Sequence, residues 1–295
     1  MRALCVVLLL AGTASAKPAD AWLGDLTDRV IADLAAGKPL VVEVHAPLCE
    51  RTIIACGNQK LGDGDNPDTN LYWSTTPGFG EWFARRGGGW KRVLKQDASE
   101  TGDADILAVL VYRRTVTASA AWVKRGAPHQ FELDVVIHGW RGKAIDRALA
   151  AYADDVSGKG TRELVVTNQS AHKTTLEAGG AAQLVAFVGH NRLMDLDTFT
   201  WPEPGKVPQG AIAIACDTAP YMKQQVSAAT RVPLLMTSDL LFANAAPLEA
   251  AVLAFASGGG YAEIRKDAAT AYAKIQQVQV RRVWGTFTNP SDRRW

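Results

Sequence analysis

Polar and apolar positions fall in blocks along this chain: short unbroken apolar runs, then polar turns, then stretches with helical spacing. The clearest runs are Leu184-Val185-Ala186-Phe187-Val188-Gly189-His190 and Ala211-Ile212-Ala213-Ile214-Ala215-Cys216. Each is too short for an ordinary helix and carries no polar alternation, which predicts a strand buried on both faces. Strands are predicted in the same way at Leu40 to His45, Lys91 to Lys95, Ile106 to Val116, Phe131 to Ile137, Leu164 to Val166 and Pro233 to Met236. Between them lie helical patterns. Residues 20–36 place Leu23, Leu26, Val30 and Leu34 on one stripe before Gly37-Lys38-Pro39 stops the helix. Residues 143–155 place Ile145, Leu149 and Tyr152 or Ala153 on another. A helix begins near Pro220, and helices at 246–257 and 261–278 are parted by Gly258-Gly259-Gly260. Polar loops fill 167–180 and 191–209.

Strands alternating with helices predict the α/β class, a three-layer sandwich around a mostly parallel sheet. The chain shows no internal repeat and no linker, so residues 17–295 read as a single domain, with 46–130 as a loop-rich elaboration. Residues 1–16 read as a signal peptide. Met1-Arg2 gives the positive start, Ala3 to Gly12 the apolar stretch, and Ala14-Ser15-Ala16 the cleavage site. No later run of about 20 apolar residues follows. The expectation is a secreted or periplasmic protein with no integral membrane segment after signal cleavage.

Composition changes this picture little: of 295 residues, 47% are apolar and 21% charged, and the formal net charge is +2. That balance argues against a nucleic-acid partner; the basic pairs Arg281-Arg282 and Arg293-Arg294 read as a solvated face. Cysteine usage is more informative. Cys5 leaves with the signal peptide, so Cys49, Cys56 and Cys216 remain in an oxidising compartment, an odd number. The close pair Cys49 and Cys56 is the natural disulfide, and Cys216 is then the free thiol. The acidic segment 63–70 has oxygen ligands that suit Ca²⁺, but it lacks the EF-hand spacing and reads as turn chemistry. The aromatics of Leu71-Tyr72-Trp73 and Gly78 to Phe83 read as anchors of a loop on the core.

The chain has no P-loop, no Gly-x-Gly-x-x-Gly before a helix, no His-Glu-x-x-His and no Gly-x-Ser-x-Gly. None of its five histidines has metal-ligand spacing to another, so no metal and no cofactor are expected. The candidate chemistry is a Cys-His pair. If the two apolar strands are parallel neighbours, His190 and Cys216 finish about 5 Å apart on one rim, where ligands of open α/β sheets bind. The imidazole would serve as base and the thiolate as nucleophile. Asp195 and Asp217 are candidates to orient the imidazole or to bind substrate. His138, with Arg141 just beyond it, is a rival strand-end histidine; His190 is preferred because its strand immediately precedes that of Cys216.

Phe187-Val188-Gly189-His190 and Ile214-Ala215-Cys216 resemble the strand ends of the caspase-like fold shared by caspases, metacaspases and gingipains, over roughly residues 130–260. The resemblance implies a cysteine peptidase acting on a peptide or protein substrate, with His190 as base and Cys216 as nucleophile. The Gly usual after the histidine is replaced by Asn191, which tolerates left-handed backbone angles better than most residues. Cys216-Asp217-Thr218 likewise replaces the usual Cys-x-Ser/Gly. Asn70-Leu71-Tyr72-Trp73 and Gly189 to Asp195 are also similar to segments of uncharacterised exported bacterial proteins. The competing reading is a catalytically inactive caspase-like envelope protein that binds a ligand or protein partner on the same rim.

Overall fold

The computed structural model describes residues 18–167, 172–226 and 230–295, and the expected signal peptide at 1–16 lies outside them. Helix α1 (Ala19–Ala35) buries Leu26, Val30, Ile31 and Leu34. Gly37, at φ +79°, makes the tight turn that only glycine enters without cost. The chain then runs into β1 (Leu40–Pro47), buried along its whole length. Two strands, β2 (Lys91–Asp97) and β3 (Ile106–Thr117), precede the short helix α2 (Ala120–Lys124), whose Ser119 hydroxyl accepts a hydrogen bond from the Trp122 N–H. Strand β4 (Gln130–Trp140) leads into α3 (Ile145–Asp155). A hairpin of β5 (Arg162–Thr167) and β6 (Lys173–Ala178) stands apart from the main sheet. Then follow β7 (Leu184–Gly189), β8 (Gln209–Ala215), α4 (Ala219–Val226) and β9 (Arg231–Thr237). The chain ends with α5 (Ala245–Ala256), α6 (Tyr261–Ile275), α7 (Val280–Val283) and β10 (Phe287–Thr288).

Eight strands form one sheet in the order β10-β9-β8-β7-β1-β4-β3-β2. The five central strands, β9 to β4, are parallel; β10, β3 and β2 pair antiparallel. The sheet is therefore mixed, and the expectation of a mostly parallel sheet holds for its centre only. Antiparallel neighbours need only short connections, so the segment expected as loop-rich elaboration contributes two strands to the main sheet. The polar loop expected from Thr167 to Gly180 likewise contains β6. Only Leu176 and Ala178 of that strand are buried, too few apolar positions to stand out as a run. No helix of the described residues is long and apolar enough to cross a membrane.

Alternation along the central strands sorts the core into two layers. Val42, Val44, Ile137, Val188, Ile212 and Ile214 face one side, where α1, α5 and α6 pack. Val41, Val136, Val185, Phe187, Ala211 and Ala213 face the other, with α3 and α4. Burying a side chain of this size is worth about 1.5–3 kcal/mol, and both faces of the parallel centre are covered. All strand ends of one polarity consequently open on a single edge. The outermost strands differ: β10 has two residues, and β2 exposes Lys91, Arg92 and Lys95.

Candidate active site at the carboxyl edge of the sheet

Strands β7 and β8 are parallel neighbours, with Gly189 opposite Ala215 as the last pair of the ladder. His190 and Cys216 are the next residue of each strand, so the two strands deliver them to the same edge of the sheet. Gly189 adopts φ +120°. A Cβ there would meet the Pro47 carbonyl at 3.4 Å and the Tyr72 ring at 3.6 Å. The backbone turn before His190 thus depends on glycine for its conformation, while a Cβ would make only ordinary contacts there.

His190 Nε2 lies 2.6 Å from Asp195 Oδ2. That contact makes Nε2 the protonated nitrogen and leaves Nδ1 as the acceptor; Nδ1 is buried and has no hydrogen-bond partner. Asp195 also receives Arg192 Nη1 at 3.3 Å. Burial acts to raise the Asp195 pKa, but the His190 and Arg192 contacts outweigh it and hold the carboxyl below its usual range. Arg192 is itself anchored to Asp146 on α3 at 2.6 Å. Asp195, expected as an orienting or substrate-binding residue, is thus in direct contact with the His190 ring.

Asn191 is fully buried and joins the two strand-end loops. Its Nδ2 donates to the carbonyls of Cys216 at 2.8 Å and Asp217 at 3.2 Å, and its Oδ1 accepts from the Leu193 N–H at 3.2 Å. Asp217 takes φ +45°, a left-handed conformation that Asp enters more readily than most side chains. Its N–H is fixed on the Asp239 carbonyl at 3.0 Å. The strained residue stands directly beside the thiol, as is common at functional sites. Cys216 is partly buried and free, and its thiol donates to the Leu241 carbonyl at 3.5 Å.

Tyr72, which residue chemistry alone did not mark as part of this site, covers it from above. Its ring lies against Gly189, and burial, reinforced by the neighbouring Cys216, raises the phenol pKa so that it keeps its proton. Tyr72 is placed by Asn70, whose side chain donates to the carbonyls of Cys49 and Asp63 and accepts from the N–H groups of Cys49 and Tyr72. The same loop is closed by the Cys49–Cys56 disulfide, with a Cα–Cα distance of 6.0 Å. In its acidic segment, Asp63 and Asn66 accept the N–H groups of Asp65 and Asp68 in local turns, and Asp65 pairs with Arg141.

The rival histidine is elsewhere. Strands β1 and β7 separate β4 from β8, and His138 is buried with Nε2 2.7 Å from Glu43 Oε1. It belongs to a second polar group on the α3 side of the sheet. There Trp140 Nε1 donates to His45 Nδ1 at 3.2 Å, and His45 Nε2 donates to Asp155 Oδ2 at 2.9 Å. Burial, outweighing Asp155, pushes the His45 pKa down and keeps the ring neutral. Glu43, His45 and Asp155 offer donor atoms within 4.8 Å of one another, close enough for a cation to bridge. Arg162 fills that position: its Nη1 is 2.5 Å from Glu43 Oε1 and 2.6 Å from Asp155 Oδ2. The guanidinium from β5 thus supplies the positive charge between the two carboxylates. Histidine spacing gives no hint of this assembly, because its members lie up to 119 positions apart. The local signal was two polar residues, Glu43 and His45, on one face of an otherwise apolar strand.

No protein-family model, no curated protein and no solved structure matches this chain.

Proposed function

We propose that this protein is a caspase-like cysteine hydrolase that cleaves peptide or related acyl bonds at the carboxyl edge of its sheet. The observation that carries the reading is the adjacency of β7 and β8, which sends His190 and Cys216 off neighbouring ends with Asp195 behind the imidazole. Nucleophile, base and orienting carboxylate are the elements that activation of a weak nucleophile requires. His190 Nδ1 takes the thiol proton while Nε2–H stays on Asp195. The thiolate attacks the acyl carbon and forms a C–S bond; the C–N bond breaks, and the amine leaves with the proton from Nδ1. Water then attacks the thioester, giving the acid and restoring the thiol.

The test is alkylation of Cys216 by iodoacetamide at neutral pH in the native and unfolded protein. The expected outcome is faster labelling in the native protein by at least about tenfold, lost in His190→Ala and accompanied by hydrolysis of peptide substrates. Labelling no faster than in the unfolded chain would overturn the proposal. One feature favours the binding-protein reading: the resting thiol is hydrogen-bonded to Leu241 rather than to His190. That alternative requires slow alkylation together with ligand binding at the same edge.

A further inference from the structure

Between Trp82 and Gln96 the chain carries Arg85, Arg86, Lys91, Arg92 and Lys95 and no acidic residue, against a net charge of only +2 for the whole sequence. Part of this run walls a cavity of about 410 Å³ bordered by β3, α5 and α6. The charged groups that line it are Arg85, Arg114 and Lys274, against the single carboxylate of Glu249. That carboxylate is already satisfied. Its Oε1 accepts the Trp90 indole N–H at 2.7 Å, and its Oε2 accepts the Trp82 indole N–H at 2.8 Å and an N–H of Arg85. Arg85 is fixed as well, stacked 3.8 Å over the Trp82 ring and donating to the Trp82 carbonyl at 2.7 Å. One carboxylate thus balances one guanidinium, and two cations are left over. Arg114 is oriented by Nη1, which donates to the Gly88 carbonyl at 3.0 Å, and it reaches Glu249 only at 3.9 Å, beyond hydrogen-bond range. Lys274 is exposed in the last turn of α6 and forms no ion pair among the described residues.

We infer that this cavity binds a small phosphate monoester, with the dianion set between Arg114 and Lys274. The two uncommitted cations carry two positive charges, and a phosphate monoester carries about −1.5 to −2 at neutral pH. A guanidinium donates two parallel N–H groups to such an oxyanion, and an ammonium adds a compact point charge. The volume falls in the ~300–1,000 Å³ range of small-molecule sites, so there is room for the group that bears the phosphate. On the loop side that group meets bare backbone at Gly87 and Gly88, and a Cβ at Gly87 would stand in open space. The seat is bounded on its other side. Beyond Lys274 a neighbouring groove between α5 and α6 carries Glu263 and Asp267, whose charges repel an anion. The cavity also stands apart from Cys216: Arg114 pairs with Leu133 in the ladder of β3 and β4, whereas the carboxyl edge lies where Ile106 pairs with Trp140. Binding here is independent of hydrolysis there.

The experiment is isothermal titration calorimetry of the full chain at low salt. Phenyl phosphate is the probe, benzoate its monoanionic counterpart, and vesicles containing phosphatidic acid the lipid-borne source of the same group. Phenyl phosphate should bind at one site, about tenfold tighter than benzoate, because the second charge engages the second cation. Lys274→Gln and Arg114→Gln should each weaken it about tenfold, the loss expected for one hydrogen bond to a charged group. Lys274→Glu should abolish it. Because Lys274 is exposed and unpaired, its variants should keep the parent's circular dichroism and urea midpoint. They decide the matter even if Arg114→Gln fails to fold. Four results overturn the inference: no saturable binding of phenyl phosphate, benzoate bound as tightly, an affinity untouched by Lys274→Glu, or capture by the vesicles alone.

Discussion

Asn191 shows how one amide can hold two loops in register. Its side chain serves two partly buried carbonyls on the Cys216 side and one buried N–H on its own side. Asn191→Ala would leave the buried Leu193 N–H and two partly buried carbonyls without this partner, a buried orphan costing about 1–3 kcal/mol. The expected outcome is a stability loss of about 2–4 kcal/mol in urea denaturation, together with slower alkylation of Cys216. A variant that unfolds at the same urea concentration as the parent would contradict this account. At this scale the sequence was partly legible. The placement of His190 and Cys216 at neighbouring strand ends was readable because each closes an apolar run and the runs are consecutive. The polar clamp made by Asn191 was not, because its partners are backbone carbonyls that any residue presents. Tyr72 was invisible as a site residue for a similar reason: its position depends on the Asn70 side chain, which binds backbone groups.

At the scale of elements, the loop over the site is held down by aromatic packing on strand β4. A Cβ at Gly139 would lie 2.7 Å from the Trp73 ring, which stacks where that side chain would stand. Another lies 2.4 Å from the same indole at Gly80. Gly139→Val should push Trp73 off the sheet, cost about 1–3 kcal/mol by overpacking, and displace the neighbouring Tyr72 from the thiol. Tryptophan fluorescence and the denaturation midpoint check it; an unshifted emission maximum with unchanged stability would refute the packing described. Elements with dense apolar content were readable from spacing alone, as the parallel centre and α1 show. Those that depend on distant partners were not. Strand β6 buries two side chains, and β10 is two residues paired to Thr237 and Met236. Neither leaves a periodic trace in the sequence.

Across the whole molecule, acid sensitivity should be set by the buried charges on the α3 face. Burial opposes ionisation of Glu43, yet contact with His138 and then Arg162 holds its carboxyl down to about 2, against an ordinary 4.5. The unfolded chain therefore binds the proton first. This contribution is complete above pH 4.5 and is lost as pH falls toward 2, amounting to about 3 kcal/mol. His45, with its pKa lowered, has the same sign: below pH 6.5 the unfolded chain takes up a proton that the native ring resists. Urea midpoints should fall continuously between pH 7 and pH 3. Glu43→Gln should be less stable at pH 7 and should show a flatter profile below 4.5. A parallel decline in both proteins would show that Glu43 is not the responsible group.

The two ends of the sheet have a consequence for how copies of this chain meet. An open eight-stranded ribbon ordinarily presents two rows of unpaired amides, each able to recruit a foreign strand. Here one border is only Phe287 and Thr288, and the other carries the exposed charged side chains of Lys91, Arg92, Lys95 and Asp97, which would have to be desolvated in any such seam. Crowded copies therefore gain little by zipping border to border.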